Sequence, residues 1–263
     1  MAETSSLTYE SYLHVDQLIS LQVLQSSPPQ HDEMLFIVIH QVYELWFKQL
    51  LHELDGVVAD LRSDSLLRVG KKFRRIDAIQ RLLEQQVDVL ETMTPQEFNA
   101  FRDHLNPASG FQSAQFREIE YLCGAPHNAA LRFLQATPAE RARLERRISG
   151  RTLYDELKDL LGRRGFATAS PAELIQTYRT IYEREDEHYA LYLLLEDCIE
   201  FDERMLLWRG HHVRMVERMI GMKMGTGGSL GAKYLQTTLD KRFFPELWDV
   251  RSVLGNDAAP SAP

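Results

Sequence analysis

Hydrophobic residues recur three and four positions apart along most of the chain, and no stretch between turn residues alternates apolar and polar long enough to mark a strand. The densest run is HDEMLFIVIHQVYELWFKQLLHEL, residues 31–54. On a 3.6-residue wheel Phe36, His40, Tyr43, Phe47, Leu50 and Leu54 fall in one stripe, while Leu35, Ile39, Trp46 and Val57 spread round the other side. This predicts a buried helix that opens after Ser27-Pro28-Pro29-Gln30 and runs to about Leu61. A second long helix is predicted from Ser65 to about Glu91, with Phe73, Ile76, Ile79, Leu82, Leu83 and Val87 on its inner face.

Helix starts are written into the chain as a hydroxyl at N-cap, often Pro at N1, and an acid at N3. Thr94-Pro95-Gln96-Glu97, Thr137-Pro138-Ala139-Glu140 and Ser170-Pro171-Ala172-Glu173 share the pattern, and Thr152-Leu153-Tyr154-Asp155 is a variant. They predict a short helix from Thr94 to His104, a loop at 106–110, another helix from Gln112 to Leu122, and three short helices over about 127–166. A long pattern follows from Ser170 to Trp208. A further helix, Trp208 to Ile220, stops at Gly221, and a last one runs from about Ser229 to Leu239. Residues 256–263 read as a flexible tail. With no repeat and no Pro/Gly/Ser-rich linker, the expected architecture is all-α, a single domain over 1–263 with a helical excursion at about 127–166.

Composition narrows the function. A 263-residue chain with 44% hydrophobic residues can bury a large core. A net charge of −8 argues against nucleic acid, whose binding depends on neutralising phosphates. Arg141, Arg143, Arg146, Arg147 and Arg151 cluster, but Glu140 and Glu145 intervene, and they read as a solvated helix face. No window approaches the ~18 unbroken apolar residues of a membrane span, and MAETSSLTYESYL has no signal-peptide pattern. Cys123 and Cys198 have no metal-ligand or redox spacing, so a reducing, cytoplasmic setting is expected.

Inward histidines in an apolar helical protein suggest a metal or haem site. A di-iron site needs two Glu-x-x-His motifs. Only Glu185 to His188 fits, inside an acidic run, and HExxH is absent. His212 shares an apolar face with Trp208, Met215 and Met219. That position suits either a hydrogen-bonded core histidine or an axial haem ligand. His40 is an ionisable group amid Phe36, Ile37, Val38, Ile39 and Tyr43, and its burial demands a partner. Arg102 stands among Phe98, Phe101 and Leu105, either packing its stem and pairing with Asp103 or clamping a carboxylate. The loop GTGGSLG (225–231) fits neither a P-loop nor a dinucleotide fingerprint. It reads as a helix connector or as a cradle for an oxyanion.

Five blocks taken together resemble the tryptophan 2,3-dioxygenase family: LTYESYL (7–13), residues 31–54, LETMTPQEFNAFRDHLNPASGFQSAQFRE (90–118), WRGHHVRMVERMIG (208–221) and GTGGSLG (225–231). The likeness extends nearly end to end. It implies an all-α enzyme with haem b, one per subunit and active as ferrous iron, that opens the indole C2–C3 bond of L-tryptophan with O₂ to give N-formylkynurenine.

By the same resemblance, His212 matches the proximal ligand and His40 the distal histidine near the indole N–H. Phe36 lines the indole pocket. Arg102 pairs with the substrate carboxylate, Thr226 binds the amino-acid end, and Phe98 lies beside it, where the family has Phe or Tyr. Leu105, Ala108 and Ser109 fall on the pocket and haem edge. Tyr9, Tyr12 and Leu13 match an arm, residues 1 to about 28, that reaches a neighbouring subunit's site in a homotetramer. Leu230 departs from the family's usual second Ser. The alternatives are a haem oxygenase acting on another indole or aromatic amino acid, a non-catalytic haem-binding sensor or carrier, and a cofactor-free scaffold. Arg102 together with Thr226 favours an amino-acid substrate, since a plain indole leaves the guanidinium unpaired.

Overall fold

A computed structural model describes residues 6–125, 136–226 and 231–255, and these residues contain helices and turns but no strand. Helix α1 spans Tyr9–Leu13 and α2 spans Val15–Leu18. The two longest N-terminal helices, α3 (His31–Arg62) and α4 (Leu66–Leu90), are joined by a three-residue turn in which Asp64 has φ 56°. So short a connection forces them to pack side by side as an α-hairpin. The next helices are α5 (Pro95–Arg102), α6 (Ala114–Leu122), α7 (Pro138–Ser149), α8 (Leu153–Arg163) and α9 (Pro171–Glu183). The chain then forms α10 (Glu185–Ile220), α11 (Ala232–Gln236) and α12 (Pro245–Asp249). Helices α3, α4 and α10 form the spine.

All four predicted N-caps form. Thr94, Thr137 and Thr152 make reciprocal capping boxes, and the Ser170 hydroxyl accepts from the Glu173 amide at 3.2 Å. The opening of α3 differs from expectation, because Ser26 and Glu33 do the work assigned to Ser27. The Glu33 carboxylate accepts from the Gln25 amide at 2.6 Å, from the Ser26 amide at 3.0 Å and from the Ser26 hydroxyl, which itself accepts from the Gln30 amide at 2.9 Å. Burial raises the Glu33 pKa, and these hydrogen bonds outweigh it, leaving the carboxyl below its usual range.

Helix α10 corrects a second expectation. It continues through Trp208, and the break falls instead at Arg184, between α9 and α10, followed by a kink at His188. That position lies in the acidic run Glu183 to Glu187, where like charges one turn apart disfavour a continuous helix. Gly221, with φ 58°, ends α10 as predicted. On α4, Leu82 is exposed and Val69 takes a place inside. Of the excursion, α7 and α8 are described, whereas the stretch before Ala136, the 227–230 start of the predicted last helix and the 256–263 tail lie outside the described residues.

Three apolar clusters form among the described residues, the smallest of them Ala114, Tyr121 and Leu144. The largest joins Leu50, Leu54, Val57 and Leu61 of α3 to Phe73, Ile76, Leu157, Leu195, Phe201 and Phe244. The second joins Ile39, Val87, Leu90, Met93, Phe101, Met215 and Met219, with Phe36, Phe98 and Leu105 at its edge. The same helix α3 thus serves a core with its C-terminal half and the wall of a cavity with its N-terminal half. None of the described helices is long and apolar enough to cross a membrane. Cys123 and Cys198 are both buried and free.

Candidate active site

A cavity of about 290 Å³ lies between the first half of α3, α5, the 109–117 segment, the C-terminal half of α10, and residues 225–226 and 231–238. Its α3 wall carries Phe36, His40 and Tyr43, each about one turn from the next, with Glu44 adjacent to Tyr43. The His40 ring packs against Phe36 at 4.1 Å between centroids, and His40 Nδ1 lies 2.7 Å from the Phe36 carbonyl oxygen. A carbonyl only accepts, so Nδ1 carries the proton. Burial pushes the His40 pKa below the ordinary 6.5, against the opposing effects of the Phe36 hydrogen bond and the Glu44 charge. The imidazole is therefore neutral near pH 7 and keeps an acceptor lone pair on Nε2.

Its neighbours on α3 are also fixed. The Tyr43 hydroxyl donates to the Leu83 carbonyl at 2.6 Å, and burial raises its pKa to about 12. Gln115 Nε2 donates both to the Glu44 carbonyl and to the Glu44 carboxylate, each at 2.8 Å.

From a second wall α10 supplies His212. Its ring stacks on Trp208, with centroids 5.4 Å apart and planes 15° apart, and no described residue hydrogen-bonds its ring nitrogens. Burial, then the nearby His40 and His211, lower its pKa to about 4. A neutral imidazole without a hydrogen-bond partner, facing a cavity, suits a metal ligand better than a core histidine, which would be hydrogen-bonded. His211 turns away, with Nε2 3.5 Å from Asp88 and 3.8 Å from Glu91.

The third wall collects the polar candidates. Arg102 and Thr226 both line the cavity. The Arg102 guanidinium donates to the Met224 carbonyl rather than to Asp103, and the Thr226 hydroxyl donates to the Ala108 carbonyl at 2.6 Å. Phe98 lies 5.5 Å from Phe36 and edge-on to Phe101. Ser109 lines the cavity, its hydroxyl accepting from the Phe111 amide at 3.4 Å. Leu105 and Ala108 stand behind this lining, and Tyr9, Tyr12 and Leu13 are exposed, away from the cavity of their own chain.

Sequence reasoning missed the cationic end of the cavity. Arg117 pairs with Glu120. Arg209 reaches the same carboxylate at 3.4 Å and donates to the Lys241 carbonyl at 2.7 Å. Two buried guanidiniums thus share one buried carboxylate, and Arg117 Nε finds no partner among the described residues. The i, i+3 spacing of Arg117 and Glu120 was visible, but only folding brings Arg209 to them. The cavity as a whole suits a flat, largely apolar group with acidic edges, held through a neutral imidazole.

Fold and site define an all-helical protein whose cavity is lined by two neutral imidazoles from different helices, together with an arginine and a threonine. The chain matches the tryptophan 2,3-dioxygenase profile over residues 1–147 and 153–254. It is 50% identical over 255 residues to the tryptophan 2,3-dioxygenase of Nocardioides sp., covering 95% of this chain and 96% of the relative. It is 48% identical to that of Herpetosiphon aurantiacus, with 95% and 100% coverage, and 43% identical to that of Myxococcus xanthus, with 94% and 89%. The chain belongs to the tryptophan 2,3-dioxygenase family and is an enzyme of that family.

Proposed function

We propose that the protein is a haem-dependent dioxygenase that opens the indole C2–C3 bond of L-tryptophan with O₂ to give N-formylkynurenine. The observation that carries the reading is the pair of neutral histidines, His40 with its acceptor Nε2 free and His212 with no hydrogen-bond partner among the described residues, across one cavity. His212 would hold the iron of one haem b per chain, and Arg117 with Arg209 would face its acidic edges. When bound as ferrous haem, the group supplies the O₂ binding and redox chemistry by which both oxygen atoms enter the product.

The chain itself binds and orients. His40 Nε2 accepts the indole N–H, and its Nδ1–H, held by the Phe36 carbonyl, fixes the tautomer that allows this. Proton removal is not its role, because an indole N–H is a very weak acid. The rings of Phe36 and Phe98 pack on the indole. Arg102 exchanges the neutral Met224 carbonyl for the substrate carboxylate, a stronger, charge-assisted partner. The Thr226 hydroxyl donates to Ala108, so its own lone pairs remain for the substrate ammonium. Leu105, Ala108 and Ser109 support this end of the site.

The exposed arm residues Leu7, Tyr9 and Tyr12, at 77%, 77% and 67% accessibility, suit burial against a neighbouring subunit, as do Met34, Val38 and Leu45 on the outer side of α3. They support a homotetramer in which Tyr9, Tyr12 and Leu13 complete an adjacent site. The chain would act as a single domain in the cytoplasm. Exposure of the reduced, haem-loaded protein to L-tryptophan and ¹⁸O₂ tests the reading. N-formylkynurenine carrying both labelled atoms, with no added reductant consumed, is expected. Unchanged tryptophan with haem bound would instead make the protein a haem sensor or carrier.

A further inference from the structure

A second hollow, of about 250 Å³, lies where the end of α7 meets α3 and the end of α6. Buried Val58 and Leu122 contribute an apolar base, and Arg62, Arg146, Arg147 and Arg151 stand around it with Asp55. Folding splits the arginine cluster that the sequence presents as a solvated face. Arg143 turns to Glu118 at 2.8 Å, whereas Arg146, Arg147 and Arg151 line the hollow with Arg62 from α3, Arg147 also reaching Glu118 at 3.5 Å. Gly150 makes the turn possible, since a Cβ there would stand 2.9 Å from the Arg146 carbonyl oxygen.

The charges in this hollow are unequally matched. Arg147 and Asp55 satisfy each other through two hydrogen bonds of 2.5 and 2.8 Å. Arg62 and Arg151, by contrast, converge on a single oxygen of the buried Glu156 carboxylate, at 2.8 and 2.9 Å, so one negative charge serves two guanidiniums. Arg151 also pairs with Asp159, so Arg62, Arg146, Arg147 and Arg151 meet the carboxylates of Asp55, Glu156 and Asp159, and solvent screens all of the half-exposed pairs. The exposed Arg146 side chain has no hydrogen-bond or ion-pair partner among the described residues. An unpartnered arginine fork beside three others that meet only three carboxylates leaves one more positive than negative charge, in donor geometry matched to oxyanions.

We propose that this hollow is a binding site for a small oxyanion, a carboxylate or phosphate group held by Arg146 and by the N–H groups of Arg62 and Arg151 that Glu156, Asp159 and the Asp155 carbonyl leave unused. The site is separate from the active-site cavity. Helix α6 stands between them, with Phe116, Arg117 and Glu120 lining the cavity and Leu122 lining the hollow. Any organic body on the anion rests on Val58 and Leu122.

Equilibrium dialysis of the full-length protein, with labelled benzoate and with labelled inorganic phosphate, tests the site. At least one probe should bind once per chain at millimolar concentration or below. Arg146→Ala should weaken that binding about tenfold, a difference of about 1.4 kcal/mol, while Arg102→Ala leaves it unchanged. Arg146 supports no other described group, so the variant keeps the fold. Tighter benzoate binding assigns the site to an organic carboxylate, and tighter phosphate binding to a phosphate. Saturable binding of neither probe, binding undiminished in Arg146→Ala, or binding lost in Arg102→Ala overturns the proposal.

Discussion

The two imidazoles that face the cavity differ in what the protein does with their nitrogens. On α3, His40 is locked by the Phe36 carbonyl one turn back, which fixes the proton on Nδ1 and leaves Nε2 as an acceptor. On α10, His212 is oriented by stacking on Trp208, with neither nitrogen engaged by a described residue. Burial keeps both neutral. A hydrogen-bonded imidazole with one acceptor lone pair is suited to a donor such as an indole N–H, and one held only by packing is suited to a metal. The same side chain in one cavity is given two roles by its backbone neighbours.

Three substitutions or conditions sharpen this contrast, in decreasing order of effect. Arg102→Ala removes a charge-assisted pair of about 1.5–3 kcal/mol. The KM for L-tryptophan should therefore rise roughly 10- to 150-fold, with kcat changed much less. Steady-state kinetics checks this, and an unaffected KM would remove the carboxylate clamp. His40→Ala, acting through one orienting hydrogen bond of about 0.5–1.5 kcal/mol, should lower kcat/KM roughly 2- to 12-fold with haem retained. Methylating the indole nitrogen should then cost the variant less than it costs the wild type, because the partner is already gone. Total loss of activity in His40→Ala with haem bound would make the residue an obligatory proton acceptor.

The smallest effect is in the pH profile. The competent form of His40 is neutral and its folded pKa lies below 6.5, so kcat/KM should hold as pH falls through the ordinary imidazole range and decline only below it. That acid limb should vanish in His40→Ala. Stability has the same sign. Below about 6.5 the unfolded chain takes up the proton first, so the contribution of His40 to stability falls as pH drops toward its folded pKa.

Periodicity alone found α3, α4 and the helix bearing His212, and the N-cap patterns located the starts of α5, α7, α8 and α9 to within a residue. Such features are local, and local sequence states them. The break at Arg184 and the work of Ser26 at the start of α3 were less legible, because they depend on charge repulsion and on a carboxylate reached from outside the helix. The cavity was the least legible part. Phe36, His40 and Tyr43 share a stripe with Phe47, Leu50 and Leu54, and periodicity cannot tell a wall from a core. Arg117, Glu120 and Arg209 meet across 89 residues of sequence, a convergence no spacing rule anticipates.

Haem titration of three proteins tests the division of labour between the histidines most directly. Wild type and His40→Ala should each take up one haem per chain with the same ferrous Soret band. His212→Ala should lose that band, with haem affinity reduced by more than the roughly 10- to 100-fold that follows removal of a merely supporting partner. An unchanged Soret band in His212→Ala, or its loss in His40→Ala, would contradict the account.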